Sequence, residues 1–268
     1  MLLKKAFLVP KFLVPRSGFI LEKPVLSFIR FHSSSSMEDK LLKDYDDQQV
    51  RLMEEPCILV NEKDEVIGTA SKKSCHLLGN INSGMLHRAF SVFLFNGKNE
   101  LLLQQRSDAK ITFPGLFTNT CCSHPLNFDL ERDEKDAMGV KRAAQRKLFH
   151  ELGITPDQIP LNIFQYLTRI QYKAENIPED GKFGENEIDY VLIVRKDVDL
   201  SINPNEVKCV RYVNKDQLQE LLTSSESGKV ILTPWFQLIC KHFLFKWWDG
   251  LENLKKMQDH QNIHNFTN

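Results

Sequence analysis

Thr118-Asn119-Thr120-Cys121-Cys122-Ser123-His124-Pro125 places two thiols, a hydroxyl and an imidazole side by side. A thiol in this setting can be a nucleophile, a metal ligand or a proton donor. Burial as small hydrophobes beside a satisfied core histidine is the alternative. Pro114-Gly115 punctuates the chain just before, so the motif is expected in a shaped loop. Two more histidines, His76 and His87, lie in and just beyond a polar stretch, Ser71–Gly84, that also holds Lys72, Lys73 and Cys75. In Gly184-Glu185-Asn186-Glu187, an extended backbone would turn Glu185 and Glu187 to the same face. Two adjacent carboxylates repel unless a cation or a proton lies between them, whereas an exposed polar edge needs neither. Three histidines and two glutamates could together ligate a divalent metal, although no spacing in the sequence makes them converge.

These residues need a scaffold. Residues 38–55 are charged and read as a short helix, and Cys57–Val60 as a strand. His87–Phe95 ends at Asn96-Gly97, a hairpin signal, with Leu101–Gln105 returning. Phe93 and Phe95 should face one side and Val92 and Leu94 the other. Asp129–Asp136 reads as an acidic linker. Ala137–Leu152 is the strongest helix, with Asp136 as its cap and Gly153 as its stop. Val140, Ala144, Leu148 and Leu152 form its apolar face, and Lys141, Arg142, Arg146 and Lys147 an unusually basic one. Ile163–Lys173, Glu187–Arg195 and Val207–Val213 read as strands, and Asn214 caps a helix over Lys215–Leu222. Pro234 opens a buried helix, Trp235–Trp248, and Leu251–His264 reads as a polar tail helix. Strands, a helix, more strands and a C-terminal helical cap predict an α+β (α/β layered) domain with the ligand between the sheet and its loops.

The 35 basic and 35 acidic residues balance, so global charge offers no nucleic-acid footprint. The six cysteines show no disulfide-scaffold spacing, which suggests a reducing compartment. Residues 1–36 are basic, apolar and Ser-rich with a single acid, Glu22, the composition of an organelle transit peptide; a disordered basic extension is the alternative. Pro10, Pro15 and Pro24 break the apolar runs below the ~20 residues of a membrane span, so no membrane partner is expected. The expected address is mitochondrial, or cytoplasmic if synthesis starts at Met37. A peroxisomal address is a further alternative, although Phe266-Thr267-Asn268 carries no signal of the Ser-Lys-Leu type. Residues 37–268 are expected to form one domain, acting as a monomer with a homodimer left open.

Arg146-Lys147-Leu148-Phe149-His150-Glu151-Leu152-Gly153-Ile154 resembles the end of a Nudix box. Arg146, Leu148, Glu151, Gly153 and Ile154 match, whereas Lys147 and His150 replace two glutamates that hydrolytic members use to hold magnesium. Arg132 and Met138 stand where the full box has a glycine and a glutamate. The resemblance implies a Nudix-like mixed sheet flanked by helices, with the hydrolytic metal cluster dismantled.

The Cys121-Cys122 motif, His87-Arg88-Ala89-Phe90-Ser91, Gln105-Arg106-Ser107-Asp108-Ala109-Lys110, Gly184-Glu185-Asn186-Glu187 and Thr233-Pro234-Trp235-Phe236 stand in the order of the type I isopentenyl-diphosphate isomerases, which the chain resembles over roughly residues 45–250. That resemblance implies interconversion of isopentenyl and dimethylallyl diphosphate through a tertiary carbocation. It implies that Cys122 and Glu187 act on opposite faces of the substrate, Glu187 protonating the terminal carbon with help from Tyr172 and Cys122 taking the proton from C2. It implies a divalent metal (Mg²⁺, Mn²⁺ or Zn²⁺) on His76, His87, His124, Glu185 and Glu187, and a diphosphate-bridging Mg²⁺ on Glu151 and the Cys122 carbonyl. Lys72, Arg106, Lys110, Ser123 and Lys147 would bind the diphosphate, and Trp235 would face the cation. Cys121 is left to packing. The rival expectations are a Nudix-type diphosphate hydrolase and an inactive diphosphate-binding module.

Overall fold

In the computed structural model, which describes residues 41–267, the chain runs from a short helix into a hairpin and then into the strand on which the sheet is centred. Helix α1 (Asp47–Leu52) is capped by Asp46, whose side chain accepts from the amides of Gln48 and Gln49. Strands β1 (Pro56–Val60) and β2 (Val66–Ser71) pair antiparallel. The polar stretch Ser71–Gly84 holds two short helices, α2 (Lys72–His76) and α3 (Leu78–Asn82). Ser71 makes the first possible, because its hydroxyl accepts from the Ser74 amide.

Strand β3 (His87–Phe95) is followed by β4 (Leu101–Arg106), β5 (Phe117–Thr118) and β6 (Cys121–Ser123). The thiol motif is therefore partly strand rather than loop. Its Cys121, Cys122 and Ser123 pair antiparallel with Val92, Ser91 and Phe90. Helix α4 (Met138–Leu152) precedes the long strands β7 (Gln165–Glu175) and β8 (Gly184–Arg195). Next come β9 (Val207–Val213) and α5 (Lys215–Glu226), the latter opened by an Asn214/Gln217 capping box. The expected Trp235–Trp248 helix is three pieces: α6 (Pro234–Ile239), a π-helical turn (Cys240–Leu244) and α7 (Phe245–Asp249).

The expected tail helix over Leu251–His264 is overturned. A 3₁₀ segment ends at Met257, and β10 (Ile263–Phe266) adds to β7 in parallel. The polar tail has no apolar stripe to bury as a helix, whereas the edge of β7 offers backbone partners. Asp259 makes the turn between them, its carboxylate accepting from the amides of Gln261 and Asn262.

The main path through the sheet runs β10-β7-β8-β3-β1-β2, with β6 and β4 also on β3, and β5 and β9 on β4. Strand β3 runs parallel to β8 from His87 opposite Glu187 to Phe95 opposite Arg195. Alternation along these strands divides the core, as the sequence predicts. Phe93, Phe95, Val191 and Ile193 pack with Phe236, Ile239 and Trp247 of the C-terminal helices. Val92, Leu94, Leu192 and Val194 pack with Val140, Ala144, Leu148 and Leu152 of α4. Full burial of each large apolar side chain contributes roughly 1.5–3 kcal/mol.

Gly153 ends α4 in the left-handed region at φ 68°. A Cβ there would lie 2.6 Å from the Ser201 carbonyl oxygen. Asp136 is not the cap: it and Ala137 both have positive φ, and α4 starts without a side-chain cap. Gly139 dictates that start, because its amide donates to the Asp133 carbonyl and a Cβ there would strike the Glu131 backbone at 2.2 Å. The expectations for residues 1–36 and for Met37 lie outside the described residues.

Candidate active site

Strand β3 and its two neighbours bring the site together. His87 opens β3, Glu185 and Glu187 lie on one face of β8, and His124 follows β6. The short helix α2 that starts after Ser71 delivers His76. All five residues are buried, and one ligand atom from each lies within 4.8 Å of the other four. His124 Nε2 is 2.7 Å and His87 Nε2 3.1 Å from Glu187 Oε1, and His76 Nε2 is 2.9 Å from Glu185 Oε2.

The donor set fits a divalent cation. His76 Nδ1 donates to the Lys72 carbonyl at 2.6 Å, because a carbonyl can only accept. Burial first, and then Lys72, push His76 down to about 4, so the ring is neutral and its Nε2 is a bare lone pair. That lone pair faces Glu185 Oε2, another acceptor, and neither atom has a hydrogen-bond partner. Two buried acceptors at this separation require a cation or a proton between them. Burial and then the Glu187 charge push Glu185 well up. Burial also works to raise Glu187, but the hydrogen bond from His124 and the close approach of His87 outweigh it and hold Glu187 well below the ordinary carboxylate range.

Cys122 and Glu187 stand on opposite sides of β3, Cys122 opposite Ser91 and Glu187 opposite His87, and both line one cavity. Strand alternation separates the two thiols: Cys121 is in the α4-side core, and Cys122 packs on the layer that holds Tyr172 and Trp235. Burial first pushes Cys122 up to about 12, against the pull of Arg106, so it is a thiol at neutral pH. Tyr172 donates its hydroxyl to Glu187 Oε2 at 2.6 Å. Burial and Glu187 push the phenol well up, so it keeps that proton. Trp235 donates from Nε1 to Asn119 Oδ1 at 3.0 Å. The Asn119 amide meanwhile donates to the Val92 and Cys121 carbonyls, tying the aromatic wall to the thiol strand.

The expected diphosphate cations surround the same cavity. Lys72, Arg106, Lys110 and Lys147 line it together with Ser123 and Glu151. Arg106 is not a free fork. Its Nε donates to the Phe113 carbonyl, Nη2 to the Thr112 carbonyl, and Nη1 lies 3.8 Å from Cys122 Sγ. Lys147, on the basic face of α4, is buried. It is 2% exposed, 3.3 Å from Glu151 Oε1 and 3.8 Å from Glu206 Oε2. Glu151 Oε2 accepts from Gln104 Nε2 at 2.9 Å.

Every site residue expected from the sequence therefore borders this cavity or the histidine cluster beneath it. Glu206 and Gln104 are additions that sequence reasoning misses. Glu206 follows Asn203-Pro204-Asn205, a turn signature that points to solvent, and one Gln within a strand carries no signal.

Comparison with known proteins gives the same lineage. Residues 85–236 match the NUDIX domain. The chain is 58% identical over 221 residues to isopentenyl-diphosphate Delta-isomerase 1 of Bos taurus, covering 82% of this chain and 96% of that protein. It is 54% identical to isopentenyl-diphosphate delta-isomerase of Schizosaccharomyces pombe, over 84% of this chain and 96% of that one. A chloroplastic isopentenyl-diphosphate Delta-isomerase 1 of Cannabis sativa is 49% identical, over 89% of this chain and 84% of that one.

Proposed function

The chain belongs to the isopentenyl-diphosphate delta-isomerases of the Nudix superfamily, and from that premise we propose how its own residues convert isopentenyl diphosphate to dimethylallyl diphosphate. The observation that carries the reading is the thiol–carboxylate pair, Cys122 and Glu187, facing one cavity from either side of β3. Protonation of the terminal carbon of an unactivated alkene leaves a tertiary cation at C3, and loss of a proton from C2 re-forms the double bond one carbon along. Glu187, held low by its hydrogen bonds, is the stronger acid of the pair once protonated, and the Cys122 thiolate is the stronger base. The surroundings favour a Cys122 thiol and a Glu187 carboxylate, so the forward reaction runs from the less populated pair, protonated Glu187 and a Cys122 thiolate: the Glu187 side, with the Tyr172 hydroxyl on Oε2, gives the proton, and the Cys122 thiolate takes one. The proton gained by Cys122 returns through solvent before the next turnover.

His76, His87, His124, Glu185 and Glu187 would hold one divalent ion (Mg²⁺, Mn²⁺ or Zn²⁺), and Glu151 with the Cys122 carbonyl, on the same cavity, a Mg²⁺. When bound, these ions supply positive charge to the paired carboxylates and to the diphosphate oxygens. Lys72, Arg106, Lys110, Ser123 and Lys147 orient the diphosphate. Incubation of the purified chain with isopentenyl diphosphate and Mg²⁺ is expected to yield an acid-labile allylic product. Release of phosphate or pyrophosphate without that product would favour a hydrolase, against which Lys147 and His150 stand in place of two acids. Recovery of unchanged substrate would leave a binding module.

Trp235 gives the carbocation an aromatic wall, worth ~2 kcal/mol when desolvated, or roughly 30-fold in rate. Trp235→Phe keeps a ring face but loses the bond to Asn119. We expect it to lower kcat about tenfold, and Trp235→Leu to lower it by about 30-fold or more. Equal kcat for the phenylalanine and leucine variants would rule the ring out as a cation stabiliser.

Residues 1–36 are proposed as a mitochondrial presequence and 37–268 as the catalytic unit. A fluorescent fusion of residues 1–36 should reach mitochondria, and a diffuse cytosolic signal would overturn that assignment. Among the described residues no helix is long and apolar enough to cross a membrane.

A further inference from the structure

Glu206 is a buried carboxylate that neither the proton transfer nor the proposed metal ligands use. It sits just before β9 and is 2% exposed. Its Oε2 accepts from Lys110 Nζ at 2.6 Å and lies 3.8 Å from Lys147 Nζ. Its Oε1 accepts from Gln49 Nε2 of α1 at 2.9 Å. Its backbone is tied as well, the carbonyl accepting from the Ser107 amide and the amide donating to the Asn203 carbonyl. A rigidly held negative charge beside an anion site opposes anion binding by simple Coulomb repulsion, so its placement needs another reason.

The cations supply that reason. Lys72 on α2, Arg106 on β4, Lys110 and Lys147 on α4 converge on one buried cavity, and crowded ammonium groups lose protons or turn away. We infer that Glu206 is a positioning residue for substrate binding, the internal counterion that holds the Lys110 ammonium group in place toward the diphosphate. This rests on the reading of Lys110 as a diphosphate ligand.

The balance at Lys110 supports it. Burial drives this amine down to about 8, Glu206 opposes the fall, and Lys72, Arg106 and Lys147 add to it. With Glu206 present, Lys110 is charged at neutral pH and loses its proton as pH rises through about 8. Without that carboxylate the burial and the three neighbouring cations all act downward, so Lys110 loses its proton at a lower pH. Gln49 completes the arrangement, because it holds the oxygen that does not face the lysines and so fixes the direction of the other.

The test uses the full chain with Mg²⁺ and isopentenyl diphosphate. Glu206→Gln is expected to raise KM at least about 30-fold at pH 7.5 while kcat stays within about threefold. The rise of KM with pH should begin below the pH near 8 at which it begins in the parent. Glu206→Asp keeps the charge on a shorter arm and should restore the parental pH profile, which a merely structural role would not do. It also serves if the glutamine variant fails to fold. Lys110→Met, measured in parallel, should raise KM by itself, and Glu206→Gln should then add little in that background, because it acts through the lysine. An unchanged or lowered KM in Glu206→Gln, with KM raised in Lys110→Met, overturns the role of Glu206 alone. An unchanged KM in Lys110→Met overturns the diphosphate reading beneath it.

Discussion

Cys122→Ala is expected to lower kcat about 10³-fold, within the 10²–10⁴ contributed by a positioned acid or base, and to leave KM for isopentenyl diphosphate nearly unchanged. The alanine removes the atom that exchanges a proton on this side of the substrate and leaves the strand intact, because β6 is held by main-chain pairing to Val92, Ser91 and Phe90. The diphosphate cations stay in place as well, since Arg106 is fixed chiefly by the Phe113 and Thr112 carbonyls and not by the 3.8 Å contact to sulfur. Serine is expected to rescue little. Its hydroxyl fits the space, but an alkoxide forms far less readily than a thiolate.

Cys121→Ala is the matched control. That thiol is buried in the α4-side layer, so its loss should lower the unfolding temperature by a few degrees and leave kcat within about twofold. The two variants separate chemistry from packing at adjacent positions. Near-parental turnover in Cys122→Ala, or a dead Cys121→Ala that still folds, would show that the wrong thiol had been assigned.

Much of this contrast is within reach of the sequence alone. A Cys-Cys pair in an extended segment must present its sulfurs to opposite faces, but the motif reads as a loop, for which no such rule holds. It is a strand because β3 lends it three register positions, a pairing of distant segments that local propensity does not encode. The same reason hides β10, which exists only because β7 has an open edge. The layering of Phe93 and Phe95 against Val92 and Leu94 is readable because it needs only a period of two. The burial of Lys147 is not legible in the sequence, because helical periodicity puts a residue on a face but does not say what covers that face. Here the loop before β9 does, and it carries Glu206. The convergence of His76, His87, His124, Glu185 and Glu187 follows from resemblance, not from spacing. Three of the five come from separate elements, and α2, which delivers His76, has no periodic signal at five residues long.

Glu187→Gln is expected to have the largest effect of all, a loss of kcat on the order of 10⁴-fold or more, because one substitution removes a proton-transfer group and a ligand together. The amide is nearly isosteric, so the backbone register with His87 should survive and the variant should fold. Its electrostatics invert, however. Glu187 Oε1 lies 2.7 Å from His124 Nε2 and 3.1 Å from His87 Nε2, and Oε2 accepts from Tyr172. An uncharged amide no longer draws those rings together, and if its nitrogen faces Tyr172 the phenol loses its acceptor. Glu185→Gln separates the two losses. It removes a carboxylate facing His76 but leaves the Tyr172–Glu187 hydrogen bond untouched. If Glu187 serves both proton transfer and metal binding, both variants should lose bound divalent metal by elemental analysis. Only Glu185→Gln should then regain activity as Mg²⁺, Mn²⁺ or Zn²⁺ is raised, because its proton-transfer group is still present. Recovery of Glu187→Gln by added metal would make Glu187 a ligand alone and move the acid elsewhere. Full metal content in an inactive Glu187→Gln would make it an acid alone, and would reduce the cluster to three histidines and Glu185.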